Sequence, residues 1–301
     1  MLYCEKGGIL LKILKENIIF AMDKNNKPAM KAKSGDDVIF ETCDCFTDAI
    51  KTEEDLVSGI DFSRVNPATG PLYVEDAKPG DVLKVDIIKI DLMNKGVSVA
   101  TPGLGRIGQD VKTETTMIFN IKDNTTEFKG KRLPLNKMIG VIGTAPKDEP
   151  IATGVPYDHG GNMDCTMIKE GVSLYLPVNV DGALLAIGDL HAAMGDGEIM
   201  GAGLEIAGEV RVKIEVLKDF DYKTPLIETD DKRITLGSRP TMEEASDLAI
   251  NNMVDLIMKN TDLTLNESGI LLSLAGNLKV CQVVDPNFTM RMELDKKYLL
   301  K

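Results

Sequence analysis

Over residues 207–217, A-G-E-V-R-V-K-I-E-V-L, apolar and polar positions alternate almost strictly. Val210, Val212, Ile214 and Val216 fall on one face, and Glu209, Arg211, Lys213 and Glu215 on the other. A period of two predicts a strand with one face in the core and one in water. The same period, less regular, runs through V-L-K-V-D-I-I-K-I after the Pro79-Gly80 turn and predicts a second strand. A third is expected in Lys33 to Thr42, where a Ser-Gly-Asp turn leads into a β-branched and aromatic run. The words K-S-G-D-D-V-I-F and K-P-G-D-V-L-K-V are weakly alike, as two copies of one turn-strand unit or as two uses of one turn chemistry. Further short strands are expected from Ile9 to about Ile50, around Thr115 to Lys122, near Met138 to Gly143 and over Leu278 to Val284. Val65 to Pro71, V-N-P-A-T-G-P, holds two prolines without backbone donors, so a shaped loop is expected there rather than a central strand. Thr101 to Asp110, T-P-G-L-G-R-I-G-Q-D, fits neither phosphate-loop pattern and is expected as a flexible loop or lid.

The period changes near the carboxyl end. Thr241 and Glu244 form a T-x-x-E capping word, after which Ala245, Leu248, Ala249, Met253, Leu256 and Ile257 repeat at helical spacing. Thr264 and Glu267 open a shorter helix to about Ala275, with Gly276 placed to end it in a left-handed conformation. The expected fold class is mainly β with some α, its sheets of the sandwich or barrel kind, with a helical pair near the carboxyl terminus.

Composition changes this picture by exclusion. With 301 residues, 43% of them apolar, the chain can bury one large core, and no clean linker divides it. Its 47 acidic residues against 35 basic ones leave a net charge of −12, which argues against nucleic acid and anionic membranes as partners. No signal peptide or membrane-spanning stretch is expected. Five cysteines without C-x-x-C pairs suit a reduced cytoplasm. The C-x-C of Cys43 and Cys45 admits a metal or redox role, but packing is the commoner fate of such thiols, and Cys165 is read the same way.

Candidate chemistry gathers in two glycine-bordered stretches that hold the only two histidines of the chain. In Ala183 to Glu198, an apolar run opens into Asp189, His191, Asp196 and Glu198. On a strand, Asp189 and His191 at i, i+2 share a face, and Gly195 and Gly197 put Asp196 and Glu198 on a loop. The set suits a metal-assisted or acid-base site, and equally a structural, calcium-like acidic turn. In Tyr157 to Asp164, His159 and Asp164 offer a base or a metal ligand, while Gly160, Gly161 and Asn162 offer donors to a developing oxyanion. Glu41 and Asp44 end a strand, at a functional rim or on an exposed face.

G-G-N-M-D at Gly160 to Asp164, L-Y-L-P-V at Leu174 to Val178 and G-D-L-H-A-A-M-G-D-G-E at Gly188 to Glu198 resemble the hallmark segments of the acetamidase/formamidase family. N-P-A-T-G-P-L-Y-V and P-G-D-V-L-K-V, at Asn66 to Val74 and Pro79 to Val85, resemble it in the same order, so the likeness covers most of the chain. The resemblance implies hydrolysis of small aliphatic amides such as formamide and acetamide to carboxylate and ammonia, on a mainly β fold, with divalent-metal sites among relatives. Zinc is the expected ion, with His191, Asp189, Asp164 and Asp44 as its candidate ligands and structural calcium at Asp196 and Glu198 as the alternative. Glu198 is the expected base, His159 a ligand or oxyanion donor, and Asp164 a second catalytic candidate; Cys165 is discounted as a nucleophile. Residues 1–301 are expected as one unit of this family, or as two interwoven β subdomains with an α/β insertion around 240–276. Its expected partners are a small amide and further copies of itself, as a homodimer or larger. The rival readings are a non-catalytic ligand-binding protein on the same fold and an amide hydrolase for a larger substrate.

Overall fold

Strand Gly208–Leu217 pairs antiparallel with Asp37–Thr42 on one edge and Val82–Leu92 on the other. This is the middle of a ten-stranded sheet in the computed structural model, which describes residues 2–5 and 8–299. Val210, Val212 and Ile214 are wholly buried, as their alternation predicts. The neighbouring strand alternates less cleanly because Ile88 is an extra residue: Arg211 faces Lys89 and Val212 faces Ile87, so Ile88 bulges out into solvent. The two similar words make the same turn. Lys33 N–H donates to Asp36 Oδ2 at 2.8 Å and Lys78 N–H to Asp81 Oδ2 at 2.7 Å, with Gly35 at φ 98° and Gly80 at φ 99°.

A second sheet of nine strands is organised on Leu185–Ala193, buried along nearly its whole length. One edge of this strand pairs with Met138–Gly143. The other pairs with Ala68–Val74 along its first half and with Leu204–Ile206 along its second. Side chains of both sheets, among them Phe40, Val85 and Ile214 from one and Ile139, Leu185 and Ile187 from the other, meet in one core. The architecture is therefore the expected mainly β one, with the sheets packed face to face.

The segment containing Pro71 is a correction. Residues 65–71 read as a loop, yet Ala68–Val74 is a buried strand inside the second sheet. Leu185 faces Leu72 and Ile187 faces Thr69, so Ala186 alone spans Gly70 and Pro71. On the far edge the partner also changes there, from Ile18–Ile19 to Met30–Ala32. Pro71 gives only its carbonyl, which accepts from Ala29 N–H at 2.9 Å, so the donor it lacks is never needed.

Helix α1, Met242–Asn260, and helix α2, Leu265–Ala275, follow the two capping words. Thr241 accepts from Glu244 N–H, and Thr264 and Glu267 complete a reciprocal box. Ala249, Met253, Leu256 and Ile257 of α1 pack with Leu226, Met292 and Leu294 on the outer face of the ten-stranded sheet. Gly276 ends α2, but in an extended conformation at φ −80° rather than a left-handed one. What calls for glycine is space: a Cβ there would stand against Met292 Cε and 2.8 Å from Leu272 O.

Candidate active site

Three backbone pairings bring the candidate residues together. Antiparallel register sets His191 opposite Glu205 across the edge of Leu185–Ala193. On the other side runs Met138–Gly143, whose Gly140 carbonyl accepts from Met163 N–H at 3.1 Å and so draws the chain of Asp164 underneath. The loop of Glu198 is pinned from a third direction, where Gly197 N–H donates to Cys281 O at 2.7 Å and Val283 N–H to Gly197 O at 3.2 Å. Gly140 is the keystone of this packing. A Cβ on it would stand against Asp164 Oδ1 and 2.7 Å from Asp189 Oδ2.

The result is a closed cluster of acids around one imidazole. His191 Nε2 lies 3.2 Å from Glu205 Oε2, 3.5 Å from Asp189 Oδ1 and 3.6 Å from Asp164 Oδ1. Two adjoining triads, Asp164 with His191 and Glu198, and Cys45 with Asp189 and Glu205, each hold their ligand atoms within 4.8 Å of one another. All six residues are buried. Both oxygens of Asp164, Asp189 Oδ1, Glu205 Oε2 and both ring nitrogens of His191 are buried without a hydrogen-bond partner. Such atoms are costly to leave unpaired, and their convergence has the form of a cation cradle.

Electrostatics agree with that form. Burial, followed by the charge of Asp189, pushes the Asp164 carboxyl up to about 8. Burial and Asp189 push Glu205 up to about 7, with His191 opposing them. Glu198 is also held well above the usual carboxylate range, by burial and by Asp164. Burial by itself disfavours the charged imidazole of His191, but Glu205 and Asp189 overcome it and raise its pKa well above normal. A divalent cation would supply the positive charge these carboxylates lack. The oxygen, imidazole and thiol donors present fit one.

A pH dependence follows. In the cation-free protein, Asp164 and Glu205 keep protons at pH values where the unfolded chain, with carboxyl pKa values near 3.8 and 4.5, has released them. Their stabilising effect is complete below those unfolded values and is lost as pH rises through about 7 and 8. His159 works in the opposite sense, since burial lowers it to about 4 from 6.5, but only below pH 6.5. Between about pH 6.5 and 8, the Tm of chelated protein is therefore expected to fall, and saturating cation to flatten that fall. A Tm that rises with pH in chelator, measured by scanning calorimetry, contradicts the cluster electrostatics.

Asp189, His191 and Glu198 converge as the sequence led one to expect, and Asp164 joins them from the second stretch. Asp164, Asp189 and Glu198 have left-handed backbones, with φ of 39°, 54° and 49°. Asp196 does not join. It is bound to Arg291 at 2.6 and 3.0 Å and to Thr166 at 2.7 Å. Asp44 lies outside both triads; its Oδ1 accepts from Phe46 N–H and Asp48 N–H in a turn, and burial lifts its carboxyl to about 6. The adjacent Cys45, read as packing, is the one that reaches Asp189 and Glu205.

His159 is buried and neutral, with no partner for either ring nitrogen, and it belongs to neither triad. Gly160 N–H already donates to Tyr157 O at 3.1 Å, Gly161 sits in the ladder opposite Ile142, and Asn162 Nδ2 donates to Asp285 Oδ2 at 3.0 Å. Cys165 is wholly buried. Glu205 and Asp285 were missed. Glu205 is a lone acid between Leu204 and Ile206, and that interruption of an apolar strand was the available signal.

Glu198 also lines a cleft of about 490 Å³ that opens beside the cluster. A different cavity, of about 600 Å³, lies on the side of Asp44, with Lys15, Glu41, Asp48, Lys51 and Glu209 in its walls. Among the described residues, no helix is long and apolar enough to cross a membrane.

The sequence profile of the acetamidase/formamidase family matches residues 23–154 and 148–236. A putative formamidase of Schizosaccharomyces pombe is 26% identical over 258 residues, covering 64% of this chain and 63% of that protein. The chain spans about three fifths of the length of the curated relatives it matches. Among solved structures, the acetamidase of Bacillus halodurans is 50% identical with a TM-score of 0.94, covering 96% of this chain and 98% of that one. A predicted acetamidase/formamidase of Thermoanaerobacter tengcongensis is 45% identical, also with a TM-score of 0.94, over 96% of this chain and 97% of that one. With its motifs and its mainly β fold both consistent with that match, the chain belongs to the acetamidase/formamidase family.

Proposed function

We propose that the chain hydrolyses linear primary amides, formamide and acetamide being the smallest, to carboxylate and ammonia at the His191 cluster. The observation that carries this reading is the set of unpartnered ligand atoms of Asp164, Asp189, His191 and Glu205, buried beside a cleft in a member of an amide-hydrolysing family. Asp164, His191, Asp189, Glu205 and Cys45 would hold the cation, for which zinc suits the mixed donors best. When bound, such an ion polarises the amide carbonyl and makes water acidic enough to attack at neutral pH.

Glu198 is the one member of the two triads that also lines the 490 Å³ cleft, so it faces both the ligand set and the substrate. In that place its carboxylate takes the proton from the attacking water and hands it to the departing nitrogen. Asn162 holds Asp285 against the cluster, and neutral His159 packs under Gly161 as a positioning group. The closed surroundings exclude bulk water and strengthen every charge interaction within. A second copy is the partner we infer, since α2 leaves Leu265, Ile270 and Leu274 in solvent beside the edge strand Asn277–Gln282.

Ammonia release from formamide or acetamide is expected from the purified protein, to be abolished by chelation and restored by Zn²⁺. Turnover that persists after elemental analysis finds no metal refutes the part assigned to the cation. Absence of ammonia from every amide tried refutes the reading as a whole.

A further inference from the structure

The cleft beside Glu198 is larger and less polar than formamide or acetamide needs. Its volume is about 490 Å³, within the range of sites for drug-sized ligands. In a chain with 27% charged residues, Glu198 is the only charged one among the described residues that line it. Phe119 and Phe128 stack along one side, their ring centroids 6.4 Å apart and their planes 13° from parallel. Leu133, from the hairpin formed by Thr125–Phe128 and Lys131–Pro134, also lines it, as do Ile199 and Met200. Phe128 is 43% exposed, Leu133 39% and Ile199 49%. Apolar side chains left in water around one concavity mark a surface that a ligand covers.

The cleft also touches the chemistry. Gly203 lines it, and a Cβ on that residue would come within 2.6 Å of His191 Nδ1, so only a backbone separates the cleft from the imidazole. The Ile199 carbonyl accepts from Arg106 N–H at 2.7 Å, which ties this part of the lining to the glycine-rich loop 101–110. By contrast, the 600 Å³ cavity near Asp44 mixes apolar residues such as Leu92, Met93 and Ile118 with eight charged ones, so an apolar substituent there would share its seat with lysines and carboxylates.

We propose that this cleft seats the acyl substituent of the substrate, and that the protein prefers primary amides of bulky apolar acids, of arylacetamide size, to formamide and acetamide. The inference rests on the hydrolase reading above and extends it to substrate class. With the carbonyl carbon beside Glu198, the substituent points toward Phe119 and Phe128. The reaction is R–CO–NH₂ + H₂O → R–COO⁻ + NH₄⁺. The water oxygen forms the new C–O bond, the C–N bond breaks, one water proton passes through Glu198 to the leaving nitrogen to give NH₃, and the second, released as the product acid ionises, converts NH₃ to NH₄⁺.

The test is steady-state ammonia release from formamide, acetamide, isobutyramide and phenylacetamide by the cation-loaded protein. kcat/KM for phenylacetamide is expected to exceed that for acetamide by about 10-fold or more, the scale on which an apolar pocket discriminates by size. Phe128→Ala and Ile199→Ala, both on partly exposed side chains, are each expected to lower the phenylacetamide-to-acetamide ratio by about 10-fold. An acetamide value equal to or above that of phenylacetamide overturns the substrate class and leaves the hydrolase reading standing. A ratio unchanged in both variants overturns the assignment of the cleft. If no amide releases ammonia, the hydrolase reading falls and this inference falls with it.

Discussion

His191→Ala is expected to lower kcat/KM by at least about 10³-fold for any amide the protein hydrolyses, and to abolish binding of the cation proposed for the cluster. The imidazole is the one nitrogen donor in the two triads, within 3.2 to 3.6 Å of carboxylates from three strands or loops. Removing it leaves Asp164, Asp189 and Glu205 facing one another with nothing positive between them. Metal content by elemental analysis, read beside the kinetics, separates loss of the cation from loss of the fold. Turnover near that of the parent protein would sink the site.

Gly140→Ala is expected to lower kcat/KM by about 10²-fold and to have the larger effect on stability, although residue 140 has no side chain to contribute. Its backbone is not among the positive-φ glycines, so conformational freedom is not the reason for glycine here. Space is. The added methyl would press on Asp164 Oδ1, lie 2.7 Å from Asp189 Oδ2 and 2.9 Å from Asp189 O. Neither carboxylate can move away freely, because both are buried, Asp189 on the strand Leu185–Ala193 and Asp164 in the segment that follows Gly160–Asn162. Overpacking of this kind costs about 1–3 kcal/mol. A ligand displaced by 1 Å costs about 10²-fold in rate. Denaturant unfolding and cation binding are the readouts, and a variant that matches the parent in both refutes the account of Gly140.

Where local chemistry decided the structure, the sequence was legible. The alternation over 208–217, the two capping words and the Lys-x-Gly-Asp turns all act within a few residues, and each forms as its pattern dictates. Asp189 and His191 were legible for the same reason, being two residues apart on one strand. What pattern did not reveal depends on pairing across long stretches of chain. Glu205 becomes part of the cluster only because antiparallel register sets it opposite His191. Asp196 looks equivalent to Glu198 in the sequence, yet Arg291, 95 residues away, claims it. Cys45 and Asp44 exchange roles by the same logic, since a turn that uses the Asp44 carboxylate turns the next side chain inward. Pro71 misled because the lack of a donor matters only where the ladder asks for one, and at that bulge it does not.

The left-handed backbones of Asp164, Asp189 and Glu198 have an evolutionary consequence. Each holds a residue with a side chain in a region that costs it about 1–2 kcal/mol. Glycine would relieve that cost at all three positions, and would also remove the mutual repulsion of the acids. On the roles proposed for them above, selection for heat tolerance alone would drift toward substitutions at these three positions, and selection for turnover would keep them acidic.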